Sequence, residues 1–200
     1  MINNKEIDKR IKRTKKAFQE ALLSLMQEKD FKAITITSIV QLADYNRGTF
    51  YKHYRYKEDL LHEIIEDVIS DLIVSYREPY KEMETLKVSS LTSSAVKIFQ
   101  HVREHADFYS LIIRSNALPG FYKRISNELK KLSLQELTYV KSELNIDPDL
   151  HASYQSYAIL GMIVEWVENS FKFSPEYMAE QLLEILHFTP AEGEYRTTGR

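Results

Sequence analysis

Arg47, Gly48, Thr49, Tyr51, Lys52 and His53 crowd into one short segment, and together they suit a nucleic-acid duplex. Arginine pairs with guanine edges, glycine lets a backbone come close, and hydroxyl and cationic groups serve phosphates. Asn46 stands just before them and is counted with the same face. Thr35 and Thr37 lie at the start of the preceding helical segment, where the helix dipole favours an anion and their side chains can donate to phosphate. Lys57 opens the next helical segment and can do the same. Phe50 and Tyr54, one helical turn apart, would anchor the segment from behind. The plainer alternative is a helical packing module that never touches DNA, in which Tyr51 would be a core aromatic.

Other chemistry finds less support. His101 and His105 are four residues apart and could share a metal, but no third ligand is evident and the chain has no cysteine. They are read as surface histidines, with no metal and no cofactor expected. Serines, histidines and carboxylates are scattered without a nucleophile elbow, a phosphate-binding glycine loop or an H-E-x-x-H zinc motif, so no catalytic residue is assigned and the chain is not expected to be an enzyme.

These residues need elements to hold them. The 200 residues are 44% hydrophobic, enough for a real core. No apolar run approaches the ~18 residues of a membrane span, and the polar N-terminus resembles no secretory signal, so no membrane partner and a cytoplasmic location are expected. The net charge of −2 conceals an asymmetry: residues 1–57 carry +7 and residues 58–200 carry −9. A basic first quarter on an acidic remainder suggests that only the first part meets a polyanion.

Apolar residues recur at three- and four-residue spacing and no stretch alternates like a strand, which predicts an all-helical fold. Ile11, Phe18, Ala21, Leu22 and Leu25 predict a helix over 6–28. Thr35 is the N-cap of a short second helix, and Asn46 caps a third running to about Tyr54. A fourth helix is predicted over 57–77, ending where Pro79 disfavours helix before it. Further helices are predicted over 88–104, 106–115 and 118–144. Asp147-Pro148 and Ser174-Pro175 each signal a helix start, for helices reaching Phe171 and Phe188. Residues 190–200 are read as a flexible tail.

Residues 31–61 thus form a helix-turn-helix between longer helices, and the stretch resembles the DNA-binding domain of the TetR family of bacterial transcriptional regulators. That family's G-T-(L/F)-Y-x-(H/Y)-(F/Y)-x-x-K-(E/D)-x-L run stands here as Gly48-Thr49-Phe50-Tyr51-Lys52-His53-Tyr54-Arg55-Tyr56-Lys57-Glu58-Asp59-Leu60. The match covers about residues 10–65. It departs at Asp30 and Asp44, where glycine is usual, and modest local strain is expected at both. The run from Tyr157 to Trp166, followed by Asn169, Ser174 and Pro175, is similar to the C-terminal region of a subgroup common in Firmicutes.

The resemblance implies domains at 1–56 (helix-turn-helix) and 57–189 (helical, regulatory and dimerising). It places Arg47, Gly48 and Tyr51 where relatives reach bases, and Thr35, Thr37, Thr49, Lys52, His53 and Lys57 where they hold phosphates, with Lys52 also able to read a base. It implies a homodimer on a near-palindromic duplex operator, formed by the last two long helices. The segment 148–171 is apolar around much of its circumference and needs partners on more than one side, so Tyr157, Gly161, Val164, Leu182 and Ile185 are assigned to the interface. If a small-molecule ligand relieves repression, Phe99, Phe108, Tyr109, Phe121, Tyr122 and Tyr139 offer aromatic walls and hydroxyls for its pocket. The same six would equally fill an ordinary core. A coactivator working through a protein partner, and a DNA-binding protein without an inducer, are the alternatives.

Overall fold

Helices with one apolar face each must bury those faces against one another, and most of the described helices contribute to one buried core. The computed structural model describes residues 4–82, 84, 91–115, 120–136 and 146–187; among them the regular structure is helical and contains no strand. The elements are α1 (Asn4–Glu28), a 3-10 turn (Phe31–Ala33), α2 (Ile36–Leu42), α3 (Arg47–Tyr51), α4 (Lys57–Arg77), α5 (Ile98–Glu104), α6 (Ala106–Ser115), α7 (Phe121–Glu136), α8 (Pro148–Glu168) and α9 (Pro175–His187). No helix among the described residues is long and apolar enough to cross a membrane.

Local chemistry sets the boundaries. Thr35 caps α2 reciprocally: its hydroxyl accepts from the Ser38 amide at 3.1 Å, and the Thr35 amide donates to the Ser38 hydroxyl at 3.1 Å. Asp147 caps α8 by accepting from the Leu150 amide at 2.9 Å, with Pro148 opening the helix. Three expectations need correction. The helix expected over 88–104 begins only at Ile98, and residues 91–97 are turns and irregular chain. The run Leu91-Thr92-Ser93-Ser94 explains this, because short hydroxyl side chains compete with the helical ladder; Thr92 and Ser94 bond each other at 3.0 Å. The third helix is shorter than expected, since the amides of Lys52 and His53 reach back only three residues, to Thr49 and Phe50. Ile11 is more than a third exposed, rather than core. Residues 188–200, with the expected tail, and residues 137–144 of the expected seventh helix lie outside the described residues.

One continuous core runs through the molecule. At the N-terminal end the fully buried Phe18 of α1 meets Phe50 of α3 edge-on at 5.4 Å, with Tyr45 at 5.3 Å. At the other end Trp166 of α8 meets Phe99 of α5 at 5.9 Å and Phe171 at 5.0 Å. Its indole N–H donates to the Phe173 carbonyl at 3.0 Å. Two left-handed residues, Ser170 and Phe171, fold the chain back there after α8. Between the ends, α4 packs against α1, α5 and α7 and spans the molecule from the helix-turn-helix to the C-terminal helices.

Candidate nucleic-acid interface

The turn between α2 and α3 is fixed by backbone. Asp44 is left-handed at φ 58°, as its substitution for glycine predicted, and the Tyr45 amide donates to the Val40 carbonyl at 2.9 Å. Asp30 differs: its φ of −54° is unstrained, because the 3-10 turn follows it directly. Asn46 then caps α3, its Oδ1 accepting from the Thr49 amide at 2.8 Å and the Thr49 hydroxyl at 3.1 Å. Asn46 and Thr49 are thereby occupied mainly with each other.

The rest of α3 divides into an inner and an outer side. Phe50 is fully buried, and Tyr54, just beyond the helix, is also in the core. Arg47, Gly48, Tyr51 and Lys52 are exposed, Tyr51 by 53%, so the core alternative for this tyrosine does not hold. A methyl group on Gly48 would sit 3.3 Å from the Asn46 Oδ1; a glycine keeps the surface beside the cap low. Thr35 and Thr37 are exposed at the start of α2. His53 is half-buried, and its burial, with the Lys15 ammonium next in weight, holds the imidazole below its usual pKa. Near neutral pH it therefore has one N–H to donate.

Lys57 departs from its expected role. Its ammonium donates to the carbonyls of Phe31 at 2.7 Å, Ile34 at 2.7 Å and Lys32 at 3.3 Å, and lies 4.5 Å from the centre of the Phe31 ring. An ammonium has three N–H donors, and all three are taken. The side chain ties the segment before α2 to the start of α4 instead of reaching outward.

A second network was invisible in the sequence. Tyr54 donates to Glu63 of α4 at 2.7 Å, Lys15 of α1 binds the same carboxylate at 2.6 Å, and Gln19 donates to Asp67 at 3.1 Å. Burial alone would push the Glu63 carboxyl up, but Lys15, Tyr54 and Gln19 outweigh it and hold the carboxyl below its ordinary range. The partners come from three elements, with no local spacing to betray them.

The residues assigned to a ligand pocket pack as core. Phe99, Phe108, Tyr109 and Phe121 are buried. Phe108 meets Phe121 at 5.3 Å and Tyr109 at 5.8 Å, both edge-on, so their rings fill space against each other. Tyr122 is half-buried and its hydroxyl donates to the Ile113 carbonyl at 3.4 Å; Tyr139 lies outside the described residues. Of the residues assigned to an interface, Tyr157, Gly161 and Ile185 face outward, Val164 is half-buried, and Leu182 turns inward to the core and needs no second subunit to cover it. Among the described residues, apart from its own neighbours and helix backbone, nothing lies within 4 Å of where a Gly161 side chain would begin.

His101 is not a surface residue: it is 3% exposed, and its Nε2 lies 3.0 Å from the buried Tyr109 hydroxyl. Burial pushes its pKa down to about 4, with the neighbouring His105 adding to the shift. His105 reaches the Asp71 carboxylate of α4 at 3.2 Å. Asp71 is a third potential ligand beside the two histidines, missed because it lies far off in the chain.

Comparison with known proteins agrees with this geometry. Residues 20–64 match the bacterial regulatory proteins of the tetR family, and residues 89–188 match a transcriptional regulator C-terminal region. The chain is 23% identical over 171 residues to the uncharacterized HTH-type transcriptional regulator YxbF of Bacillus subtilis, covering 84% of this chain and 43% of the relative. It thus spans less than half the length of that curated relative. A TetR transcriptional regulator from Streptococcus agalactiae is similar in structure at a TM-score of 0.57, with 26% identity, covering 92% of this chain and 99% of its own. NalD, the secondary repressor of the MexAB-OprM multidrug efflux pump in Pseudomonas aeruginosa, shares the fold at a TM-score of 0.61 and 18% identity, covering 88% and 96%. A helix-turn-helix with an outward-facing Arg47-Gly48 corner, an all-helical fold and two family matches over most of the chain lead to one conclusion: this chain belongs to the TetR family of bacterial transcriptional regulators.

Proposed function

We propose that the chain acts in the cytoplasm as a homodimeric operator-binding repressor, each subunit laying α3 in a major groove, with a small-molecule ligand relieving the binding. The observation that carries this reading is the outer side of α3. Arg47, Gly48, Tyr51 and Lys52 are exposed together on a helix whose inner side is fixed by the buried Phe50. A positioned arginine beside a glycine, with hydroxyls and a lysine around it, is what base-edge and phosphate contacts require. Thr35 and Thr37 at the α2 N-terminus, with His53, serve phosphates, and Lys57 holds the scaffold. In this division residues 1–56 read DNA and residues 57–189 regulate and dimerise.

The exposed side of α8 supports a dimer. Leu150, Tyr154, Tyr157 and Gly161 recur along one stripe, with Tyr154 72% and Tyr157 57% exposed, and Ile185 and Leu186 of α9 add to the apolar surface. Exposed apolar stripes of this extent mark interaction surfaces. A two-fold on that surface would present two reading heads to a near-palindrome. A ligand would act by favouring one separation of those heads over another. The packed aromatics of α5 to α7 mean that such a ligand must open the core, or bind elsewhere.

Selection of bound sequences from random duplex DNA by the purified protein tests the reading. An enriched near-palindrome is expected. Enrichment of no sequence, together with capture of a protein partner, would point instead to a coactivator.

A further inference from the structure

We propose that Asp71, His101 and His105 form a binding site for a divalent transition-metal cation of the zinc, cobalt or nickel class. Three observations converge. One potential ligand atom from each residue lies within 4.8 Å of the other two. The two imidazole rings are 4.6 Å apart, centre to centre. The residues come from separate elements, Asp71 from the middle of α4, His101 from α5, and His105 from the corner between α5 and α6.

The donor set selects the ion class. Two imidazoles and one carboxylate suit zinc and its neighbours, and leave a position open in a tetrahedral site. Magnesium and calcium favour oxygen donors alone. His101 is also placed as ligating histidines commonly are, with a second partner for its ring. An ion held through Nδ1 leaves Nε2 to bond the Tyr109 hydroxyl 3.0 Å away, which fixes the ring orientation. Solvent reaches the cluster from two sides. The Asp71 side chain is largely exposed, and a cleft of about 160 Å³ bordered by Glu78, Lys97, Gln100, His101 and Glu104 opens along the seam between α4 and α5. Water from either side can complete the coordination.

Ligands around a tetrahedral zinc, with bonds of about 2.0–2.1 Å, stand roughly 3.3 Å apart. Asp71 and His105 already stand at that spacing, 3.2 Å apart, so binding would chiefly draw the His101 ring of α5 toward them.

The test needs no DNA. Zinc chloride is titrated calorimetrically into the purified, tag-free full chain, with magnesium chloride as control, and cobalt chloride is followed by its visible absorption. One zinc per chain is expected, with no magnesium uptake at the same concentrations and an intense tetrahedral cobalt spectrum. Asp71→Asn and His105→Gln alter groups at the surface end of the cluster, so the fold should persist. Each should weaken zinc binding roughly tenfold or more and collapse the cobalt band while leaving the circular dichroism unchanged. Absence of zinc uptake by the wild-type chain would overturn the proposal. So would variants that bind zinc as tightly as the wild type, since other histidines would then hold it.

Discussion

Arg47 and Lys57 carry the same charge within one motif, but Arg47 is exposed while Lys57 is bonded to backbone carbonyls. Arg47 is exposed at the first turn of α3, so Arg47→Ala should leave the melting temperature nearly unchanged. It should cost about 1–3 kcal/mol in binding to a preferred duplex, measured by fluorescence anisotropy against an unrelated duplex. Loss of stability without loss of discrimination would assign Arg47 to the scaffold. Lys57 spends its ammonium on three backbone carbonyls. Lys57→Met should lower unfolding free energy by about 1–3 kcal/mol in a urea titration, while the dependence of DNA affinity on salt stays as in the wild type. A flatter salt slope would show instead that Lys57 neutralises a phosphate. Asn46, Gly48 and the exposed Tyr51 were legible because capping, size and helical spacing are local properties. The use of Lys57 was not legible, because its partners lie more than twenty residues back and are backbone atoms, which sequence patterns do not mark.

At the scale of the element, α3 is too short to hold itself and depends on what grips it. Phe18, Phe50 and Tyr45 supply the apolar grip, and the Glu63 carboxylate supplies the polar one, faced by Lys15 and Gln19 of α1, by Tyr54 and His53 near α3, and by Asp67 on its own helix. With its pKa held below the ordinary 4.5, Glu63 contributes stability that is present above that value. This contribution is lost as the pH falls through the lower, folded-state pKa. Thermal unfolding followed from pH 7 downward should show Glu63→Gln less stable than the wild type at neutral pH, with the gap narrowing below about pH 4.5. A constant gap would mean that the carboxylate's charge is irrelevant. Most helices were legible as elements, because amphipathic spacing and the caps Thr35, Asn46 and Asp147 are written locally. The late start of α5 was not, since apolar spacing there competes with a run of hydroxyl residues that favour turns. His101 was misjudged for a related reason. Its burial is decided by α4 and α6 packing over α5, and four-residue spacing alone does not say which way a ring faces.

At the scale of the whole molecule, the proposed function makes the helix-turn-helix a reading head and α4 its lever. The helix α4 leaves the helix-turn-helix and ends among the C-terminal helices, pinned by an ion pair between Glu66 and Arg124 of α7 and by His105 at Asp71. A change among α5 to α8 can reach the helix-turn-helix by tilting that helix, or through α6, which packs directly against α1. The outer stripe of α8 is where two such levers would join, so Tyr157→Asp should convert a dimer to a monomer in sedimentation velocity, with helix content retained. Operator affinity should fall steeply, as each half-site would then be held alone. A variant that still sediments as a dimer would place the interface elsewhere.

The most direct measurement is the affinity of the full chain for its best selected duplex against a scrambled duplex of equal length, at one stated salt concentration near physiological. If the outer side of α3 reads base edges, the ratio should be about a thousandfold or more, and Arg47→Ala should shrink it. A ratio near one, with both affinities falling alike as salt rises, would contradict sequence-specific reading and leave only electrostatic attraction to the duplex.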